Sequence, residues 1–316
     1  MSLSTGFGRM RTGLKFSLSV LLSLWTISGA SALEVSFDAP DKVSLGEPFV
    51  VSLTVSGDVE KSTLSWRGRN YPMSLSVAEG GVSKGVALLG TDVARSSAKG
   101  DVVKIWVRSK GVNYMSRWKI DVISKSYPAE RLSVPPAMVN PPGSERDRIA
   151  RERKAVRKVL RAHSPELYWS LPMVRPVSGI VTSVYGKRRI YNGIPRSRHG
   201  GVDYRASVGT PVKSASSGRV VLTGDHYYAG KSIYVDHGGS VVSMYFHLSE
   251  IDVREGQFVR SGEVIGKTGR SGRVTGPHLH FGVSVGGRMV DPTILVERDL
   301  ERLTESNLSG RMAFPY

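Results

Sequence analysis

The sequence contains no cysteine. That excludes disulfides, thiol catalysis, thiolate zinc sites and anchoring through a lipid-modified cysteine. Acidic residues are also scarce: 27 Asp and Glu stand against 44 Lys and Arg, for a formal net charge of +17. Three of the cations (Arg9, Arg11 and Lys15) lie within residues 1–32, which hold no acid, leaving +14 on the remainder (17 less 3). Such a charge favours anionic partners: nucleic acid, acidic lipid or cell-wall polymer. No aromatic-basic nucleic-acid motif is present, so charge alone does not choose among them. No apolar run reaches the ~20 residues of a comfortable membrane span. What is present, 316 residues with 40% hydrophobic and 22% charged, suffices for a leader and two modest domains with buried cores.

Residues 1–32 read as a secretory signal peptide. A basic start precedes an apolar run, Phe16 to Ile27, and Ala30-Ser31-Ala32 forms a small-x-small cleavage site. An uncleaved anchor is the alternative, and either reading puts the body outside the cytoplasm. Residues 33–124 are expected to form an immunoglobulin-like β-sandwich. Segments such as Phe49-Val50-Val51-Ser52-Leu53-Thr54-Val55 and Val102-Val103-Lys104-Ile105-Trp106-Val107 are built from β-formers, with turn signals between them. This region has no histidine, which leaves it a docking, covering or spacing role. Residues 125–175 read as a Pro-rich linker and a basic helix running from near Ser144 to about Arg161, with Ile149, Val156 and Leu160 on one side. The cations of that helix are read as a solvated face in preference to a polymer grip. Residues 176–296 are rich in glycine and valine and are expected to form a β-barrel-like core of tight hairpins without a long helix. Residues 297–316 are a charged tail.

Six of the seven histidines fall between positions 199 and 280. In Arg198-His199-Gly200-Gly201-Val202-Asp203, two ordinary zinc donors are four residues apart. The glycine pair and the flanking Val202 and Tyr204 favour a turn entering a strand over a helix. In Gly276-Pro277-His278-Leu279-His280-Phe281, the i, i+2 spacing puts both imidazoles on one face of a strand. His247, in Tyr245-Phe246-His247-Leu248, stands near the end of a third β run. Each has a bland explanation alone: a surface hydrogen bond, a satisfied half-buried histidine, a contact to the chain after Pro277. Together they point to a metal site.

The order of these elements resembles the lysostaphin-type (LytM-like) zinc metallopeptidases. The match runs from Ser183-Val184-Tyr185-Gly186 through Val235-Asp236-His237-Gly238-Gly239 to the His278–Phe281 segment, across essentially all of 176–296. Tyr185 stands where relatives often carry Phe, which keeps an aromatic ring. The resemblance implies a LytM-like antiparallel β catalytic domain, with His199, Asp203 and His280 as ligands of one Zn²⁺. It implies that His247 and His278 are catalytic, and His278 is preferred as the base. It further implies an exported, periplasmic or extracellular endopeptidase acting on the peptide cross-links of peptidoglycan. The sequence has no His-Glu-x-x-His helix, so that other style of metalloprotease is excluded. His237 is read as a strand-end or turn residue, His226 as a loop residue and His163 as solvated. Arg189, Asn192 and Tyr245 suit a cleft lining and ordinary structure equally well. Two other readings differ in class: a non-catalytic LytM-like activator of another wall hydrolase, and an adhesive module centred on the sandwich. The architecture also suggests that sandwich and linker cover the cleft.

Overall fold

Side-chain alternation sets the N-terminal region. In strand Pro48–Ser56 the side chains of Phe49, Val51, Leu53 and Val55 are buried, while those between them are partly exposed. A chain with period-2 burial needs a second apolar layer to face. The computed structural model, which describes residues 33–77, 81–94, 98–296 and the backbone of Phe314–Pro315, supplies one. The expected leader at 1–32 and nearly all of the tail at 297–316 lie outside the described residues. One antiparallel sheet runs in the order Glu34–Asp38, Pro48–Ser56, Val82–Gly90, Ser76–Val77. A second runs Lys42–Ser44, Val112–Ile123, Asp101–Ser109, Lys61–Trp66, Arg69–Pro72, with Phe314–Pro315 beside Val112–Ile123. Phe37, Phe49 and Leu53 of the first share one core with Leu64, Trp66, Ile105 and Trp118 of the second. Phe49 meets Trp66 edge to face, with ring centroids 5.3 Å apart, and Phe37 meets Trp118 likewise at 6.0 Å.

The Pro-rich stretch is more ordered than its composition suggests. Ala129–Leu132 pairs in parallel with Arg188–Tyr191, bringing Glu130 opposite Arg189. Asn192 then holds the next residues, donating from Nδ2 to Val134 O at 2.8 Å and accepting from Val134 N at Oδ1 at 3.0 Å. The helix spans Arg146–Arg161, entered through a 3-10 turn at Gly143–Glu145. It starts two residues after Ser144, which does not cap it. Ile149 is buried, and Val156, Val159 and Leu160 cover Tyr234, Val242 and Met244. Arg151, Lys154, Arg157 and Lys158 face solvent, as the expected polar face requires.

While Arg188–Tyr191 and Ile194–Arg198 form a separate three-stranded sheet with Ala129–Leu132, most of the C-terminal region is one ten-stranded sheet. Its main path runs Val181–Ser183, Val202–Arg205, His278–Val285, Val241–Ile251, Gly230–Asp236, Gly218–His226, Phe258–Val259. Neighbours along this path are antiparallel. Val202, Tyr204, Ile233, Tyr245, Leu279, Phe281 and Val283 fill its core. The chain is thus mostly β, and the only helix described within 176–296 is the short Thr293–Val296. Among the described residues no helix is long and apolar enough to cross a membrane.

The N-terminal sheets meet this region at its far hairpin. Arg69 donates to Gly286 O at 2.7 Å, Asp291 N donates to Gly46 O at 2.8 Å, and Leu88 joins the C-terminal core. Gly286 has φ +57°, and a Cβ there would lie 2.0 Å from the Tyr71 hydroxyl, so the hairpin tip fits only without a side chain.

Candidate metal centre

Strand register assembles the centre. His278–Val285 lies between Val202–Arg205 and Val241–Ile251, so His280 sits opposite Asp203 on one side and Phe246 on the other. His278 sits opposite Arg205, two residues along and on the same face. His199 arrives from the turn before Val202, held by its N–H to Lys187 O at 2.8 Å. Gly201 allows the approach: a Cβ there would stand 2.3 Å from Phe281 O and 2.9 Å from His280 Nε2.

His199 Nε2, Asp203 Oδ1 and His280 Nδ1 converge, with pairwise separations of 3.0, 3.0 and 2.8 Å. All three residues are buried. Donors about 2.0–2.1 Å from a tetrahedral zinc stand roughly 3.3 Å apart, so the triangle needs to open only slightly to hold the ion. The tautomers suit that task. His199 Nδ1 is 2.9 Å from the Val184 carbonyl, which can only accept, so the proton sits on Nδ1 and Nε2 offers a lone pair to the centre. His280 stacks on Phe246 with ring centroids 5.1 Å apart.

Electrostatics favour the ligand forms. Burial works to raise the Asp203 carboxyl, but its contacts with the His199 and His280 rings outweigh it and hold it well below the usual carboxylate range. Burial pushes His280 down to about 4, so its ring is neutral at pH 7. Arg189 binds the second carboxylate oxygen, Oδ2, through Nη2. Arg189 is in turn ion-paired to Glu130 at 3.3 Å, and Lys187 bonds the other oxygen of Glu130 at 2.8 Å. Ser183 also donates to Glu130, at 2.9 Å.

His247 and His278 flank the triangle, with ring centroids 4.8 Å apart. His247 Nδ1 is 2.8 Å from Ser271 O, and His278 Nδ1 is 2.8 Å from Gly276 O. Both carbonyls require a proton on Nδ1, leaving each Nε2 as the free acceptor. His278 Nε2 is 3.8 Å from Asp203 Oδ1. Burial, then the charges of His278 and His280, push His247 well below the usual imidazole range. His247 has φ +65°, rare for a residue with a side chain and costly enough to mark a constrained site.

A cleft of about 430 Å³ opens onto Asp203 and His278. Glu130, Leu132 and Val134 form one wall; Arg273, Val274 and Thr275 form another. Among the described residues, none of 33–124 lines it. The covering role expected for sandwich and linker is therefore redistributed: the linker builds a wall, and the sandwich stands elsewhere. A wider depression of about 940 Å³ lies between Ser52–Thr54, Ser74–Ser76 and Pro165–Leu167, and no histidine lines it.

The remaining expected residues fall variously. His237 is fully buried just past strand Gly230–Asp236, bonded to Ser217 O and to the Ser243 hydroxyl, both at 2.7 Å. Tyr245 lies in the core, its hydroxyl accepting from Ala215 N at 2.7 Å, so it does not line the cleft. His226 ends strand Gly218–His226 and bonds the Ser232 hydroxyl at 2.6 Å, which corrects its reading as a loop residue. His163 is half-buried against the Ser240 hydroxyl at 2.8 Å, and its expected solvation does not hold. Asn192 pins the linker. Glu130, Lys187 and Arg273 were not singled out from the sequence. Glu130, an acid beside the basic stretch that starts at Arg131, was the available signal.

Residues 197–292 match the model of peptidase family M23. The chain is 42% identical over 112 residues to the peptidoglycan DD-endopeptidase ShyA of Vibrio cholerae, covering 35% of this chain and 26% of that one. It is 42% identical over 94 residues to the DD-carboxypeptidase/endopeptidase Mpg of Neisseria meningitidis, covering 30% and 22%. The matched stretches thus span about a quarter of the length of these curated relatives. A crystal structure assigned to peptidase M23, from Pseudomonas aeruginosa, is 31% identical with a TM-score of 0.59, covering 80% of this chain and 94% of that one. That likeness spans nearly the whole of the solved protein, sandwich-side strands included, and on it the chain belongs to peptidase family M23.

Proposed function

We propose that the chain is an exported zinc metalloendopeptidase that hydrolyses peptide cross-links of bacterial peptidoglycan. One observation carries this reading: three buried donors of the right types converge on one point, beside two further histidines, of which His278 lines the cleft that also opens onto Asp203. The similar proteins named above as peptidoglycan endopeptidases support the substrate class. Export rests on the signal-like leader at 1–32.

His199, Asp203 and His280 would hold the ion, a two-imidazole, one-carboxylate donor set that suits zinc. Bound there, zinc supplies Lewis acidity, polarising a scissile carbonyl and making water acidic near neutral pH. Arg189 binds the second oxygen of Asp203, so the first stays aimed at the centre. We assign proton transfer to His278. It lines the cleft, and its Nε2 can take a proton and return it to the leaving amine. His247, buried and neutral, keeps Nε2 as an acceptor that would orient the attacking water. The sandwich would position the catalytic region on the wall without closing it.

Purified walls digested by wild type and by His280→Ala, with masses of the released fragments, test the reading. New peptide termini are expected from wild type alone. Fragments from neither protein, with both retained on the wall, would favour the non-catalytic activator instead.

A further inference from the structure

The cleft carries a cation with no acid of its own. Arg273 lines it together with Thr275 and His278. Its guanidinium carbon stands 4.3 Å from the ring centroid of Tyr191 and 4.6 Å from that of Tyr228. Contacts of this length to two rings fix the orientation of the planar group. Its loop is also held, since Arg273 N donates to Tyr228 O at 2.9 Å. Among the described residues the side chain makes one hydrogen bond, a long one from Nη1 to Met138 O at 3.5 Å. The two acids lining the same cleft are committed elsewhere: Glu130 to Lys187 and Arg189, Asp203 to Arg189, His199 and His280. Arg189 and Arg196 add positive potential at Arg273. A guanidinium with its plane braced by aromatic rings and most of its N–H groups uncommitted is arranged for bidentate recognition of a carboxylate. The bracing also reduces the rotamer entropy that binding would otherwise cost.

We propose that Arg273 is a specificity residue that binds a free carboxylate of the wall peptide while the scissile bond lies at the His199–Asp203–His280 centre. This rests on the peptidoglycan reading above. Cross-linked wall peptides carry carboxylates close to their amide bonds, and the fork distinguishes a carboxylate from a neutral amide of the same shape. Tyr191 and Tyr228 would be positioning residues for it.

The test uses the full-length, zinc-loaded protein and two synthetic cross-linked peptides of one sequence, the first with free carboxylates and the second with those groups amidated. Values of kcat and KM are compared for wild type, Arg273→Lys and Arg273→Ala, with zinc content and melting temperature measured for each. Wild type is expected to favour the acid peptide by roughly 10- to 100-fold, the scale of a charge-assisted hydrogen-bonded pair. Arg273→Ala is expected to lose that preference through a higher KM for the acid peptide alone. Arg273→Lys keeps the charge without the fork and is expected to retain part of it. If the alanine variant unfolds, the lysine variant decides alone: an undiminished preference overturns the proposal. Equal turnover of both peptides by wild type overturns it too, as does an alanine variant that slows equally on both. Hydrolysis of neither peptide by wild type overturns it together with the peptidoglycan reading, whereas hydrolysis without preference leaves that reading standing.

Discussion

Asp203 serves three cationic or ring partners with two oxygens. Oδ1 faces His199 and His280, and Oδ2 takes Arg189. Removing Arg189 frees the carboxylate to rotate. Loss of such an outer partner typically weakens metal binding 10- to 100-fold, so Arg189→Gln is expected to raise the zinc Kd by roughly that factor in a chelator competition. His237 gives a prediction on stability. Burial lowers it from 6.5 to about 4, so unfolding takes up a proton anywhere between those values. The folded state therefore loses stability as pH falls through that window, by about 3 kcal/mol across it for this group. Denaturant melts of His237→Gln from pH 7 to 4 are expected to show a shallower decline than wild type, by about one proton at mid-window. That a metal site lay among these histidines was legible from residue type and spacing, whereas the choice of His199, Asp203 and His280 as its ligands came from the family resemblance. His237 was legible as a structural residue, but its full burial was not, because nothing local says which strands will cover it. Tyr245 shows the same limit: its aromatic ring beside His247 suits a cleft, and only the neighbouring strands bury it in the core.

At the scale of elements, pairing register does what sequence spacing cannot. His280 meets Asp203 across 77 residues because two strands align them, and Gly201 lets those strands close. Gly201→Ala would put a methyl group 2.3 Å from Phe281 O, so the strands must part. Loss of zinc retention is expected, with a drop in Tm of several degrees on the scale of a ~1–3 kcal/mol overpacking penalty. The linker was legible as proline-rich but not as a strand. Its pairing with Arg188–Tyr191 is parallel and distant in sequence, a contact that composition does not encode. Asn192 stands in for further pairing by bonding both backbone groups of Val134. Asn192→Ala is expected to speed amide exchange through residues 129–139 while leaving the core strands protected. Unchanged exchange there would show that the wall is held by other contacts.

Over the whole molecule, the two-sheet region grips the hairpin that contains Gly286, and the cleft opens between linker and histidine strand. Removal of 33–124 is therefore expected to lower stability without uncovering the cleft, and added turnover in the truncated protein would contradict this placement. The charge of +14 on residues 33–316 (17 less 3) favours an anionic wall, and retention on purified walls is expected to fall steeply between low and ~0.15 M salt. The overall class, mostly β with a histidine-bearing second half, was readable because β-formers alternate and glycines punctuate the turns. The relation between the two halves was not, since Arg69 and Gly286 are 217 residues apart. The most direct measurement is the zinc content of the purified chain, counted per protein molecule in wild type and in His280→Ala. Expected is about one zinc in wild type and almost none in the variant. A wild-type protein that takes up no zinc, or a His280→Ala protein that keeps it, would contradict the proposed centre.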